Sequence, residues 1–132
     1  MKIITKIGVL LVITIILSLT QCKKDEITFK AYFYTTTQSD QIQLSLYTND
    51  KYKGDIPFMK NKPTCNNDTL KQKALYMNLK CGKYKLIGKD KQGNIMSSGT
   101  MKVSQNKLSS SGGKGGQEIN AQGECLIVGL FY

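Results

Sequence analysis

"ITFKAYFY", Ile27 to Tyr34, alternates without a break: Ile27, Phe29, Ala31 and Phe33 fall on one side of an extended chain, and Thr28, Lys30, Tyr32 and Tyr34 on the other. Strand side chains point to opposite faces with a period of two, so this stretch is expected to be a half-buried strand. "QIQLSLY" repeats the pattern with Ile42, Leu44 and Leu46 inward, and "ALYMNL" repeats it with Leu75, Met77 and Leu79. Gly82 marks a turn into "KYKLIGKD", and "DKQGN" is a turn by composition leading to "IMSSGTMKV". The end of the chain, "ECLIVGLFY", is continuously apolar and suits a strand buried on both faces.

Between these segments the reading is of loops. "TND" and "KG" punctuate the chain after Tyr47, and Pro57 and Pro63 bracket a stretch ill suited to a central strand. Residues 61–73, "NKPTCNNDTLKQK", are expected to form a long exposed loop, and "NKLSSSGGKGGQ" a flexible one. Helical periodicity is confined to the N-terminus. The expected fold class is therefore all-β: a small antiparallel β-sandwich or partly open barrel, preceded by an N-terminal hydrophobic signal helix. At 132 residues there is enough chain for a single domain with a modest core.

Lys2 and Lys6 precede "IGVLLVITIILSL", 13 residues without a charge from Ile7 to Leu19. That run is shorter than the ~18 residues a spanning helix requires and fits the apolar region of an export signal. The polarity turns at once after it, with Cys22 on the seam. "LTQC", Leu19 to Cys22, resembles a bacterial lipobox, whose cysteine receives a diacylglycerol and becomes the mature N-terminus. "CKKDE" resembles the start of surface lipoproteins of Bacteroidota-type bacteria, with Lys24, Asp25 and Glu26 at the positions of a surface-export signal. These resemblances imply a signal peptide over 1–21, a lipidated Cys22 with a polar tether over 22–26, and a single β-domain over 27–132. They also imply attachment to the outer membrane through lipid, facing the cell exterior.

A second resemblance lies in the middle. "LSLYTNDKYKGDIPF" and "LKCGKYKLIGKDKQGNI" are similar to PEGA-type and transthyretin-like sandwiches, with Gly54 and Pro57 matching a G-x-x-P turn and Leu79, Gly82 and Tyr84 matching the element after it. It implies a passive envelope module without catalytic residues.

The formal charge is +10, and all 19 basic residues are lysine. Arginine's planar fork is the usual reader of phosphates and base edges, so its absence argues against specific nucleic-acid recognition. A lysine-rich surface still suits a polyanion, and a protein or an anionic glycan is the expected kind of partner. Seven tyrosines lead the aromatics; on an outward strand face beside lysines they can stack on sugars or contact a protein.

With Cys22 acylated, Cys65, Cys81 and Cys125 remain in an oxidising compartment. A Cys65–Cys81 bridge is the expected pairing, since it closes a loop of about 15 residues for about 3 kcal/mol in the chain-entropy model. Cys125, beside "LIVGL", is then a buried small hydrophobe; its pairing with either of the others is the competing arrangement. With no histidine in the chain, Ser-His-Asp and Cys-His nucleophile systems are excluded. Neither C-x-x-C nor an acidic cluster with ligand spacing is present, so no metal, cofactor or catalytic residue is expected. "SGGK", Ser111 to Lys114, has S-x-x-K spacing, but its glycines disfavour the helix that motif needs. "DTL", Asp68 to Leu70, resembles the O-glycosylation acceptor of secreted Bacteroidota proteins, which would make Thr69 the acceptor. The function expected is a non-enzymatic binding or structural module of the cell envelope. The alternative is an inhibitor or immunity protein acting on an envelope hydrolase.

Overall fold

The computed structural model describes residues 27–38, 42–105 and 107–132. Nine strands are found there: β1 (Thr28–Tyr34), β2 (Leu44–Thr48), β3 (Lys51–Ile56), β4 (Leu75–Lys80), β5 (Gly82–Lys89), β6 (Ile95–Ser104), β7 (Lys107–Gly112), β8 (Gly116–Gln122) and β9 (Cys125–Phe131). One short helix, α1, spans Asp68–Lys71. The strands form two open sheets, one in the order β4-β1-β9-β8 (the first sheet) and the other in the order β3-β2-β5-β6-β7 (the second sheet). The all-β sandwich expected from the alternation is present, with one correction: β1 and β9 run parallel, so the first sheet is mixed.

The alternating residues do what their spacing requires. Phe29, Ala31 and Phe33 of β1 meet Leu44 and Leu46 of β2, Leu79 of β4, Leu86 of β5, Met101 and Val103 of β6, and Leu126, Val128 and Leu130 of β9 in one buried cluster between the sheets. Each such side chain contributes about 1.5–3 kcal/mol by leaving water. Turn chemistry sets the connections. Asn49 and Asp50 both take positive φ, 49° and 67°, which gives the tight two-residue hairpin between β2 and β3 its right-handed twist. Asp90 accepts from the backbone N–H groups of Gln92 and Asn94 at 3.0 and 2.8 Å, closing the β5–β6 hairpin.

Two stretches without apolar alternation are strands: "KYKGDI", punctuated by "KG", forms β3 against β2, and "KLSSSG", expected as part of a flexible loop, forms β7 against β6. Both are edge strands with mostly exposed side chains, so their sequences carry almost no apolar alternation. Ladder hydrogen bonds to one neighbour hold them, and the lysines on β3 discourage further pairing. Gly54 and Pro57 accordingly do not make a turn together. Gly54 lies within β3 at φ 146°, where a Cβ would stand 2.8 Å from Leu75 Cδ1.

β9 was expected to be covered on both faces, and the long loop provides the outer cover. Residues 57–74 run from the second sheet back to the first as a strap across the first sheet's outer surface. A parallel bridge pairs Thr35 with Phe58, and Met59 packs with Tyr34 and Ile127 in a second, smaller core. Leu70, Ala74 and Cys65 of the strap join that cluster, together with Cys125 and Phe131 of β9. The strap is thus half-ordered by apolar burial instead of being a free loop, and α1 is its one helical turn. Asn67 caps α1 by accepting from the Leu70 N–H at 3.1 Å.

The bridge is Cys65–Cys125, with Cα atoms 6.0 Å apart, and this corrects the Cys65–Cys81 pairing. The reason is topological. Cys81 lies between β4 and β5 and packs into the cluster between the sheets, whereas Cys65 is on the far side of the first sheet, where the first residue of β9 faces it. Cys125 is therefore a bonded cysteine, and Cys81 is not a free thiol either. The bridge closes a sequence separation of 60, for which the chain-entropy model gives about 4 kcal/mol.

Gly129 is the other fixed point beneath the strap. It stands opposite Tyr34 in the β1–β9 register, and a Cβ there would come within 2.6 Å of the Phe131 ring and 2.9 Å of Tyr34. Those two rings meet edge to face, 6.1 Å between centroids, over the space the glycine leaves. Peptide mapping without reduction should recover Cys65 joined to Cys125. Cys65→Ser should lower Tm by about 10 °C or more. Gly129→Ala should destabilise by about 1–3 kcal/mol in denaturant titration, the range for an overpacked core.

Candidate functional site

The first sheet's outer face is divided by the strap. Over β9 and the end of β1 it is covered; over the β1–β4 pair it is open. The register puts Tyr32 opposite Tyr76 and Lys30 opposite Asn78 on that open face. The rings of Tyr32 and Tyr76 lie 5.4 Å apart at a 43° tilt, and Tyr76 is 47% exposed. Its hydroxyl donates to Asn78 Oδ1 at 2.7 Å, which fixes the ring upright.

The strap supplies the opposing wall. Lys71 Nζ lies 5.5 Å from the centre of the Tyr32 ring and 3.0 Å from Asp68 Oδ1, so α1 is tied electrostatically to the aromatic pair. Tyr32, Asp68, Lys71, Gln72, Ala74 and Tyr76 enclose a shallow groove of about 380 Å³. Its lining offers two ring faces, an amide, an ammonium and a carboxylate. Such a set is suited to stacking and hydrogen bonding, and no group of three or more metal-ligating side chains occurs among the described residues.

Further along the strap, Lys62 donates to Glu118 Oε2 of β8 at 2.7 Å. This hydrogen bond is the main reason the Glu118 carboxyl is held below its ordinary pKa, and its counterpart raises that of Lys62. Tyr34, buried beneath, is pushed up chiefly by burial and then by the charge of Glu118. A second aromatic cluster lies on the outer face of the second sheet, where Lys89 Nζ stands 4.5 Å from the Tyr47 ring and Tyr47 meets Tyr52 at 5.7 Å.

Cys22, Lys24, Asp25 and Glu26 lie outside the described residues. Thr69 is exposed on α1, one residue from the groove-lining Asp68, and Leu70 points into the smaller core. Ser111 ends up on β7 and Lys114 in the following turn, so the S-x-x-K spacing does not gather the pair on a helix. Tyr32 and Tyr76 were visible in the sequence only as two tyrosines among seven. Asp68 and Lys71 were missed as groove residues because the segment read as loop, although Asn67, Asp68 and Lys71 follow the order of a helix cap, an acidic first turn and a basic last turn.

No protein-family model, no curated protein and no solved structure matches the chain.

The lowered Glu118 pKa has a direct consequence for pH. A depressed carboxyl contributes stability that is present above its unfolded pKa and is lost as pH falls through the lower folded value. Acidification should therefore loosen the Lys62 end of the strap, seen as faster amide exchange there. Glu118→Gln should show that faster exchange already at neutral pH and lose most of the acid response.

Proposed function

We propose that the chain is a cell-envelope lipoprotein that acts by binding, and that its ligand is an anionic glycan taken on the Tyr32–Tyr76 face. The observation that carries this reading is the half-exposed aromatic pair whose register neighbours are Lys30 and Asn78 and whose opposite wall is Lys71. A sugar ring presents an apolar C–H face to stack on Tyr76, its hydroxyls suit Asn78 and Gln72, and a carboxylate or sulfate suits the lysines. Lys73, between the groove residues Gln72 and Ala74, adds positive charge, and Asp68, already engaged by Lys71, is the one acid lining the groove. The attachment to the membrane rests on Cys22 at the seam of "LTQC" and "KKDE", and surface display on Lys24, Asp25 and Glu26. Thr69 as a glycan acceptor is compatible with this placement, since it is exposed beside the groove.

Titration with polygalacturonate or dextran sulfate, against neutral dextran, tests the binding. Wild type should bind the acidic polymers in a salt-dependent manner, and Tyr76→Ala should weaken binding by about fivefold to tenfold while Tyr76→Phe keeps most of it. Equal binding by wild type and Tyr76→Ala would refute the assignment of the face.

Growth with labelled fatty acid should mark wild type and leave Cys22→Ala unmarked. A single sulfur cannot carry both a thioether and a disulfide, so recovery of Cys22 in a disulfide from the exported protein would overturn the anchor. Replacing Lys24, Asp25 and Glu26 with alanine should shield the protein from protease added to whole cells.

A further inference from the structure

The outer face of the second sheet joins its aromatic cluster to a field of lysines. Leu44 and Leu46 of β2, Leu86 of β5, and Met101 and Val103 of β6 point into the core, so alternation turns Tyr47, Lys83, Lys85, Lys89 and Lys102 outward. Tyr52 of β3 stands opposite Tyr47 and is 56% exposed. Ile87, directly opposite Tyr47 on β5, belongs to neither core cluster and is still buried, so the side chains of this face cover an apolar patch of their own. Next to it Lys83 stands opposite Lys102, a like-charge pair that costs the ladder stability. Neither lysine makes an ion pair among the described residues. The acids placed on this face are already engaged: Asp50 by Lys85 at 3.1 Å, and Asp55 by the hydroxyls of Ser45 and Tyr52 at 2.9 and 3.2 Å. Beyond Lys102 the hydroxyls of Thr100 and Ser111 meet at 2.5 Å and extend the face with polar groups.

We infer that this face is a second surface for anionic glycan, and that the protein joins two polymer strands, one on each outer face of the sandwich. Opposed lysines without acid partners are complementary to repeated negative charge, and a bound polyanion relieves the repulsion of Lys83 and Lys102. The exposed Tyr52 ring and the Ser and Thr hydroxyls supply the stacking and hydrogen bonding that a sugar chain uses. The joining of strands rests on the Tyr32–Tyr76 reading; the second surface does not. Packed sheets lie about 10 Å apart and each outer face adds its own layer of side chains, so one sugar ring cannot touch both faces. A strand held on one face therefore leaves the other free to take a second strand.

The test combines light scattering with lysine footprinting. The full chain is titrated with dextran sulfate or polygalacturonate, with neutral dextran as the control, and the same mixtures are acetylated briefly and read by mass spectrometry. Scattering should rise and then fall as acidic polymer is added, because excess polymer gives each protein molecule strands it need not share, and high salt should abolish it. Lys83, Lys89 and Lys102 should be acetylated several-fold less with the acidic polymers, and so should Lys30 and Lys73 beside the groove. Tyr52→Ala combined with Lys83→Gln and Lys102→Gln should remove the scattering while Lys30 and Lys73 stay protected; all three replaced side chains are exposed. Tyr76→Ala should cut the scattering several-fold while Lys83 and Lys102 stay protected. Protection confined to Lys30 and Lys73 overturns the inference and leaves the groove reading standing. Protection confined to Lys83, Lys89 and Lys102 refutes the groove reading and, with it, the joining of two strands. Protection on both faces without scattering overturns the joining as well, since one strand then wraps a single molecule. Undiminished scattering in either variant also overturns it, because self-associated copies then bridge strands through one face.

Discussion

The run "CLIVGLF" cannot leave either face in water, and much of the molecule is arranged around that constraint. A strand apolar on alternate residues needs one neighbouring layer; β9 needs two. The second sheet covers Leu126, Val128 and Leu130, and the strap covers Cys125, Ile127 and Phe131. The long connection between β3 and β4 is thus a third layer over part of the first sheet. Its few apolar residues, Met59, Leu70 and Ala74, bury little on their own, so the covalent link to β9 and the Lys62–Glu118 pair complete its attachment. The parallel contact of β1 with β9 follows the same logic, since it places the doubly apolar strand at the centre of the sheet.

How much of this was legible depends on whether burial shaped the sequence. Phe29, Ala31 and Phe33 in β1, Leu75 to Leu79 in β4 and the apolar run of β9 announced themselves, because core-facing positions must be apolar. β3, β7 and β8 did not. They lie at sheet edges, bury one face weakly or not at all, and are held by backbone hydrogen bonds that any side chain permits. The serines and glycines of β7 gave a correct account of its exposure and a wrong one of its conformation. The disulfide was misread for a different reason: loop length favoured Cys81, but pairing is decided by which face of the first sheet each sulfur occupies. The groove needed the same information. Tyr32 and Tyr76 are 44 positions apart in the sequence and become neighbours only through the β1–β4 register.

The Tyr32–Tyr76 groove lies towards the start of β4, on the face the strap leaves open. The strap connects structure with binding: its anchored half covers β9, and its helical turn places Asp68 and Lys71 beside the tyrosines. Losing the cover would disturb the groove without touching a residue that lines it.

Native-state hydrogen exchange of the wild type and of Cys65→Ser, which removes the Cys65–Cys125 bridge, tests the cover most directly. If β9 depends on the strap, the substitution should accelerate the strap amides, including the hydrogen-bonded Met59 and Lys71, together with those of β9 and β1, while β5 and β6 keep their protection. Strap amides that accelerate while β9 and β1 stay as slow as before would contradict it, because the outer face of β9 would then be stable without its cover.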